Sequence, residues 1–340
     1  MGPDPIELKM KSKAVVFTEP GKVAFLDVEC PEPGPGDVVI EVTHSWISNG
    51  TEGSFLRGER IEGDVAYRPG DPWPFPIVAG YQKVGRITWL GSEVQGFSIG
   101  QTVFAVMSRI KGMFDRNGGH ISPSVCAASQ VFALPEGIDP VAFSGLVLTQ
   151  VGYNCAMRPR LVAGQTAVVV GDGLVGLWAA QALIARGAFV VLVGRHDDRL
   201  ARLRTEERHL KIKSRSGTGA MQVREAVEGP VEVLVDTVGS IGILNDYLPM
   251  MRRGGTIVSA GFYGTSDRIP LQHFRNQEIS FDLVSGMTRE RLEATRDFLA
   301  AGKMETLPLI THRFPVARAA DAWALIRSRK DNVLGVVLEW

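Results

Sequence analysis

Residues 168–187, VVVGDGLVGLWAAQALIARG, constrain this chain more than any other stretch. The apolar run Ala167, Val168, Val169 and Val170 has the composition of a strand buried on both faces. Gly171, Gly173 and Gly176 then space a G-x-G-x-x-G turn through Leu174 and Val175. After it, Leu177, Ala180, Leu183 and Ile184 recur at helical spacing until Gly187. The glycines have different tasks. Gly171 permits the tight turn, Gly173 lets a pyrophosphate approach the backbone, and Gly176 lets helix and strand pack closely. The anion would sit on the helix N-terminus, where free N–H groups and the helix dipole favour negative charge. A second β-rich run at residues 189–193 follows at once and supplies the strand–turn–helix–strand context that a solitary glycine motif lacks.

The pattern on either side differs. Residues 13–17 and 23–28 alternate as two strands of a hairpin about Glu19-Pro20-Gly21, and residues 37–43 alternate strongly. Residues 57–76 read as a long exposed loop, and residues 77–90, 102–106 and 130–133 as further short strands. Such a series predicts an irregular β-barrel. Near Pro140 the period changes. Residues 141–156 read as a helix, and beyond the glycine turn strands at 231–236, 255–260 and 279–284 alternate with a helix at 242–251. That alternation predicts a doubly wound parallel sheet, so the fold class is α/β. After Gly286 come a helix at 289–301, a strand at 309–314, a helix at 315–328 and a strand at 333–340. The 340 residues suit two domains. The expected division is residues 1–150 with 287–340 as a substrate-binding domain and 151–286 as a dinucleotide-binding domain.

Thirty-seven basic residues balance thirty-seven acidic ones, so no global field recruits nucleic acid or an anionic membrane. No apolar run approaches the ~20 residues of a membrane span, and no signal-peptide h-region is seen. Three widely spaced cysteines make no disulfide framework, which suits a reduced, cytoplasmic protein with a small-molecule substrate.

Several segments carry a resemblance. Pro35-Gly36-Asp37-Val38, GYQKVG from Gly80, GSEVQGFSIG from Gly91, Gly118-Gly119-His120, the glycine turn and Arg253-Gly254-Gly255 together resemble the medium-chain dehydrogenase/reductase superfamily, from about Lys13 to Trp340. Ile47 through Glu52 (ISNGTE), Ala260-Gly261-Phe262-Tyr263 and the ending 334–340 are similar to its bacteriochlorophyllide hydroxyethyl dehydrogenase branch. The resemblance implies a GroES-like β-barrel, a Rossmann sheet, hydride transfer with substrate in the cleft between the domains, and a homo-oligomer, dimer or tetramer.

Many members of that superfamily hold a catalytic zinc through a Cys before a G-T-D-like segment, a G-H-E segment and a later Cys or Asp. Here the first position is Ser48 or Asn49 and the second reads Gly80-Tyr81-Gln82, groups that bind Zn²⁺ poorly. Cys155 stands alone near the third, and three cysteines cannot build a four-cysteine lobe. The six histidines show no close ligand pairing. The expectation is a zinc-independent member, in which hydrogen bonds and a proton relay handle the substrate oxygen. Tyr81 is the first candidate for proton donor. Ser48, Asn49 and Thr51 are candidates to contact substrate oxygen or ribose, Glu52 to orient a neighbour, and His120 to act as a second acid–base group.

An NAD-preferring turn carries an acid at the end of the second strand, about 20 residues past the glycines. This strand ends Val193-Gly194-Arg195, with Arg199 about one turn on. Gly194 leaves room and Arg195 can pair with a 2′-phosphate, which favours NADP(H) over NAD(H). A longer strand would instead give Asp197 the acidic role. By the same reading Thr237, Val238 and Gly239 line the cofactor, and Ala260, Gly261, Ser285 and Gly286 lie near the nicotinamide. Tyr67, Arg68, Trp73, Phe75, Trp46, Met113 and Phe114 are candidates to border the substrate, while Ala320, Trp323 and Ile326 read as one core or contact face of a helix. A secondary alcohol/ketone dehydrogenase leads, with cyclic and sugar-like compounds among the candidate substrates. An enone or quinone reductase and a non-catalytic nucleotide-binding protein are the alternatives.

Overall fold

The computed structural model describes residues 10–59, 75–215, 217–263, 267–328 and 332–340. The chain divides into two compact units, Met1–Leu146 with Ile310–Trp340, and Val147–Leu309.

In the first unit, strands Met10–Glu19 and Lys22–Cys30 pair antiparallel, with Gly21 at φ +77° making the turn. Alternation along the first strand feeds two cores. Val15 and Phe17 pack with Ile47, Leu56 and Trp323, whereas Ala14 and Val16 pack with Val39, Ile110 and Ile121. A second, larger sheet runs Val131–Ala133, Thr102–Ala105, Lys83–Leu90, Asp37–Trp46, Gly335–Glu339, Ile310–Pro315, with Ser124–Ala127 also paired to Asp37–Trp46. The C-terminal strand therefore belongs to this unit, where Val337 faces Trp46.

One expected strand is two. Residues 77–90 resolve into Ile77–Val78 and Lys83–Leu90, because Gly80 at φ +80° turns the chain between them. That break presents Tyr81.

In the second unit the parallel sheet has the order Leu210–Lys213, Phe189–Gly194, Thr166–Val170, Val231–Asp236, Met251–Ser259, Ser280–Leu283. Every residue of Thr166–Val170 is buried, as its central place requires. Chain order reverses on either side of that strand, and such a switch point opens a crevice at the carboxyl ends of the strands. Leu210–Lys213 was not expected, since Lys211 and Lys213 give this edge strand a polar face. The return to the first unit falls after Leu309, not at 287. Helix Arg289–Ala300 stays with the second unit by setting Phe298 edge-on to Tyr153, ring centroids 5.3 Å apart. No described helix is long and apolar enough to cross a membrane.

Candidate active site

Strand Asp37–Trp46 ends in buried Ser45 and Trp46, and the chain then turns into helix Thr51–Leu56. Glu52 lies in the first turn of that helix, 1 % exposed. Its Oε1 accepts the Ser48 backbone N–H at 2.8 Å, and its Oε2 lies 3.0 Å from His120 Nε2. His120 arrives on two glycines that allow a close backbone crossing. A Cβ on Gly119 would stand 2.1 Å from the Tyr81 nitrogen, and one on Gly80 would stand 2.5 Å from the His120 ring. His120 Nδ1 is 2.8 Å from Ser45 Oγ, which accepts the Trp340 indole N–H at 2.8 Å. An indole can only donate, which leaves the Ser45 hydrogen for Nδ1 and sends the Nε2 hydrogen to Glu52. Assigned from this network, a neutral imidazole satisfies every member. Trp323 sits edge-on to His120 at 5.5 Å.

Tyr81 is half-buried. Its hydroxyl hydrogen bonds with the Ser48 and Thr51 side chains. Burial, with the Glu52 carboxylate adding to it, pushes its pKa above the ordinary phenol value. The phenol therefore stays protonated at working pH, a donor and not a base.

The structure thus brings Ser48, Thr51, Glu52, Tyr81 and His120 together, in two layers. Three hydroxyls form one. Glu52 and His120 lie behind, His120 being 0 % exposed. The reading of His120 as a direct acid–base group is corrected accordingly: sealed by Ser45, Glu52, Gly80 and Trp323, it positions the helix that carries Thr51.

Other expectations fare differently. Tyr67, Arg68 and Trp73 lie outside the described residues. Phe75 and Met113 pack against core clusters, Trp46 is wholly buried, and Phe114 is exposed. On the helix Ala319–Arg327 the buried face is Ala319, Ala322 and Trp323, with Ile326 half-buried, whereas Ala320 points outward.

The residues at the expected zinc positions are of types that bind zinc poorly. Gln82 is buried and donates its amide to the Trp46 carbonyl at 3.3 Å, and Ser48 is engaged with Tyr81. Glu52 and His120 are one pair, and no third His, Cys, Asp or Glu joins them among the described residues. Burial pushes the Cys155 thiol up to about 12, which keeps it protonated and a poor ligand.

Beside Gln82, Lys83 is wholly buried and donates to the Val106 carbonyl (3.1 Å) and Ser108 Oγ (2.7 Å). Burial lowers its pKa. The unfolded chain binds this proton up to about pH 10.4, whereas the native amine releases it earlier. Its contribution to stability is therefore full above about pH 10.4 and declines as pH falls toward the lowered native value. Measured by urea unfolding, wild type gains stability relative to Lys83→Met as pH is raised toward about 10.

In the second unit, Gly171 adopts φ +117°, and a Cβ there would stand 2.1 Å from Thr237 Oγ1. A Cβ on Gly176 would stand 1.9 Å from the Gly171 carbonyl oxygen. Gly173 caps helix Leu174–Ala185 without a side-chain partner, and the place of its missing Cβ is open space. Leu174 and Val175 open the helix. This cradle fits a pyrophosphate.

The other expected cofactor residues gather at the same carboxyl ends. Buried Asp236 accepts the N–H groups of Val238 (2.8 Å) and Ser240 (3.1 Å), shaping the Thr237, Val238, Gly239 loop. Ala260 and Gly261 donate to the Asp236 carbonyl, and a Cβ on Gly261 would stand 2.0 Å from the Gly239 nitrogen. The Ser285 and Gly286 carbonyls each accept from Arg291 at 3.3 Å.

Strand Phe189–Gly194 stops at Gly194, and Asp197 opens the next short helix in an ion pair with Lys213, so Asp197 does not extend the strand. The space beside Gly194 is not vacant. A Cβ there would stand 2.5 Å from both Cβ and Oδ2 of Asp172. Arg195 is exposed, and Arg199 Nη1 lies 3.9 Å from Asp172 Oδ1. Sequence reasoning passed over Asp172 because it occupies a variable position of the glycine motif.

Residues 175–301 match the family model described as zinc-binding dehydrogenase. The 2-desacetyl-2-hydroxyethyl bacteriochlorophyllide A dehydrogenase of Cereibacter sphaeroides is 27% identical over 342 residues, covering 97% of this chain and 99% of that one. An Escherichia coli CFT073 alcohol dehydrogenase solved with NADH superposes with TM-score 0.82 at 20% identity, covering 97% and 99%. A zinc-binding dehydrogenase from Sinorhizobium meliloti 1021 bound to NADP gives 0.80 at 21%, covering 97% and 100%. These likenesses show the fold, an antiparallel β unit joined in one chain to a six-stranded parallel Rossmann sheet, and make residues 175–301 similar to the zinc-binding dehydrogenases.

Proposed function

We propose that the protein is an NAD(P)-dependent dehydrogenase that interconverts a secondary alcohol and a ketone without catalytic zinc. A bound nicotinamide supplies or accepts the hydride. The chain's residues then have to hold the substrate oxygen and its proton. The observation that carries this reading is the convergence of the Tyr81 and Ser48 hydroxyls, at positions where the resemblance expects zinc ligands, with the Thr51 hydroxyl beside them. In the reductive direction Tyr81 donates to the oxygen as it gains charge, and Ser48 and Thr51 hold the phenol by hydrogen bonds. Glu52 and His120 fix the turn that carries them.

The alcohol chemistry named for the relatives supports the reaction class, and solved relatives with NADH and with NADP support the coenzyme class. The sequence preference for NADP(H) rested on room at Gly194, the lack of an acid there and the Arg195 guanidinium; Asp172 fills that room and brings an acid to it, while Arg195 stays exposed. Three buried free cysteines suit a reducing, cytoplasmic setting, and a homo-oligomer is expected.

Tyr81→Phe tests the assignment. It keeps the fold and lowers kcat for ketone reduction by about 10²–10⁴-fold with little change in coenzyme affinity. Unchanged kcat on ketones, or turnover of enones alone on a substrate panel, contradicts it.

A further inference from the structure

The carboxylate of Asp172 has contacts that the glycine turn does not require. Its Oδ2 accepts the backbone N–H of Arg195 and of His196, each at 2.7 Å, and lies 2.9 Å from His196 Nδ1. Its Oδ1 is 3.1 Å from the same ring nitrogen and 3.9 Å from Arg199 Nη1. The side chain is 8 % exposed. One acid from the first strand's end is thus held at the end of the second strand, in the space that a side chain at position 194 would enter.

We infer that Asp172 is the specificity-determining residue of the coenzyme site: it reads the adenosine ribose from the glycine turn and makes the protein prefer NAD(H). The inference rests on the proposal that the second unit binds a nicotinamide dinucleotide, and it names which one. A dinucleotide whose pyrophosphate lies on this turn brings its adenosine ribose toward the end of the second strand. A carboxylate there accepts from a ribose 2′-hydroxyl. It repels a 2′-phosphate and competes with it for the cations nearby. Arg199 and His196 already face Asp172, so the groups best suited to hold a 2′-phosphate are engaged with an acid of the protein. Arg195 remains at the surface, tethered to the same acid by its backbone. The carboxylate that the family pattern carries at the strand's end has moved to the turn, and glycine at 194 is what makes room for it.

Calorimetric titration of the full-length protein with NAD⁺ and with NADP⁺ tests this without any turnover. Wild type binds NAD⁺ about ten- to a hundredfold more tightly than NADP⁺, the range of one charge-assisted hydrogen bond. Asp172→Asn weakens NAD⁺ and tightens NADP⁺, bringing the ratio to unity or reversing it. The double variant Asp172→Gly with Gly194→Asp returns the acid to the strand's end without the Cβ collision and restores the preference for NAD⁺. Tighter binding of NADP⁺ by wild type overturns the inference. So does an equal loss of both coenzymes in Asp172→Asn, which would make the acid a brace for the turn. Wild-type protein that is folded and binds neither coenzyme contradicts the proposed function itself, and the inference falls with it.

Discussion

Alanine at Glu52 lowers the stability of the folded protein by about 2–5 kcal/mol, the cost of leaving two buried donors without the carboxylate they share. Both carboxylate oxygens are in use, one by the Ser48 N–H and one by His120 Nε2. The side chains of the pair are 2 % and 0 % exposed, so no water replaces the lost acceptor. Each stranded donor then keeps its desolvation penalty. Glutamine rescues only part of the loss, because its NH₂ must face one of two donors. The chain of contacts continues through Ser45 to Trp340, so the damage reaches the strand Gly335–Glu339 that closes the larger sheet. Urea unfolding of wild type, Glu52→Ala and Glu52→Gln reads the order directly. A loss below about 1 kcal/mol in Glu52→Ala would mean that the pair is solvated and the layered site is misdescribed.

Alanine at Gly173 leaves the protein as stable as wild type or slightly more stable, yet coenzyme binding falls by about a hundredfold or more. The backbone there, φ −77° and ψ 178°, is open to any residue, and nothing lies within 4 Å of the added methyl group. A Gly→Ala change at such a site costs the unfolded chain entropy and stabilises by about 0.4–1 kcal/mol. The methyl group instead occupies the surface a pyrophosphate approaches. Gly176 is the contrast. Its added Cβ strikes the Gly171 carbonyl oxygen at 1.9 Å, a backbone atom that cannot swing aside, so Gly176→Ala loses stability and binding together. Separation of the two effects at Gly173 and their coincidence at Gly176 distinguishes a ligand cradle from a packing contact.

Much of this was legible in the residues. Glycine spacing between an apolar strand and a helical repeat gave the nucleotide sheet, because those signals are local and follow one period. The return boundary was not legible. Arg289–Ala300 carries the same helical pattern whichever unit it packs on, and its place in the second unit follows from contacts distant in the chain, Phe298 on Tyr153 among them. For the candidate site, residue type pointed to Ser48, Thr51, Glu52, Tyr81 and His120, but type does not give depth. That His120 is sealed follows from the crossing of Gly80 and Gly119, contacts between segments far apart in the chain. Ser45 and Trp340 escaped notice for the same reason, their link to His120 spanning nearly the whole sequence. Asp172 shows the sharpest limit. A motif reader ignores the variable positions of G-x-G-x-x-G, yet the acid that holds the end of the second strand stands at one of them.

The proposed reaction is hydride transfer to or from a secondary alcohol's carbon with side-chain hydroxyls where zinc would be expected. Its most direct test is turnover of a secondary alcohol or ketone by protein stripped with a strong chelator, its metal content measured on the same sample. Undiminished kcat at far less than one zinc per chain is the expected result. Activity that vanishes on stripping and returns with one equivalent of Zn²⁺ would contradict it.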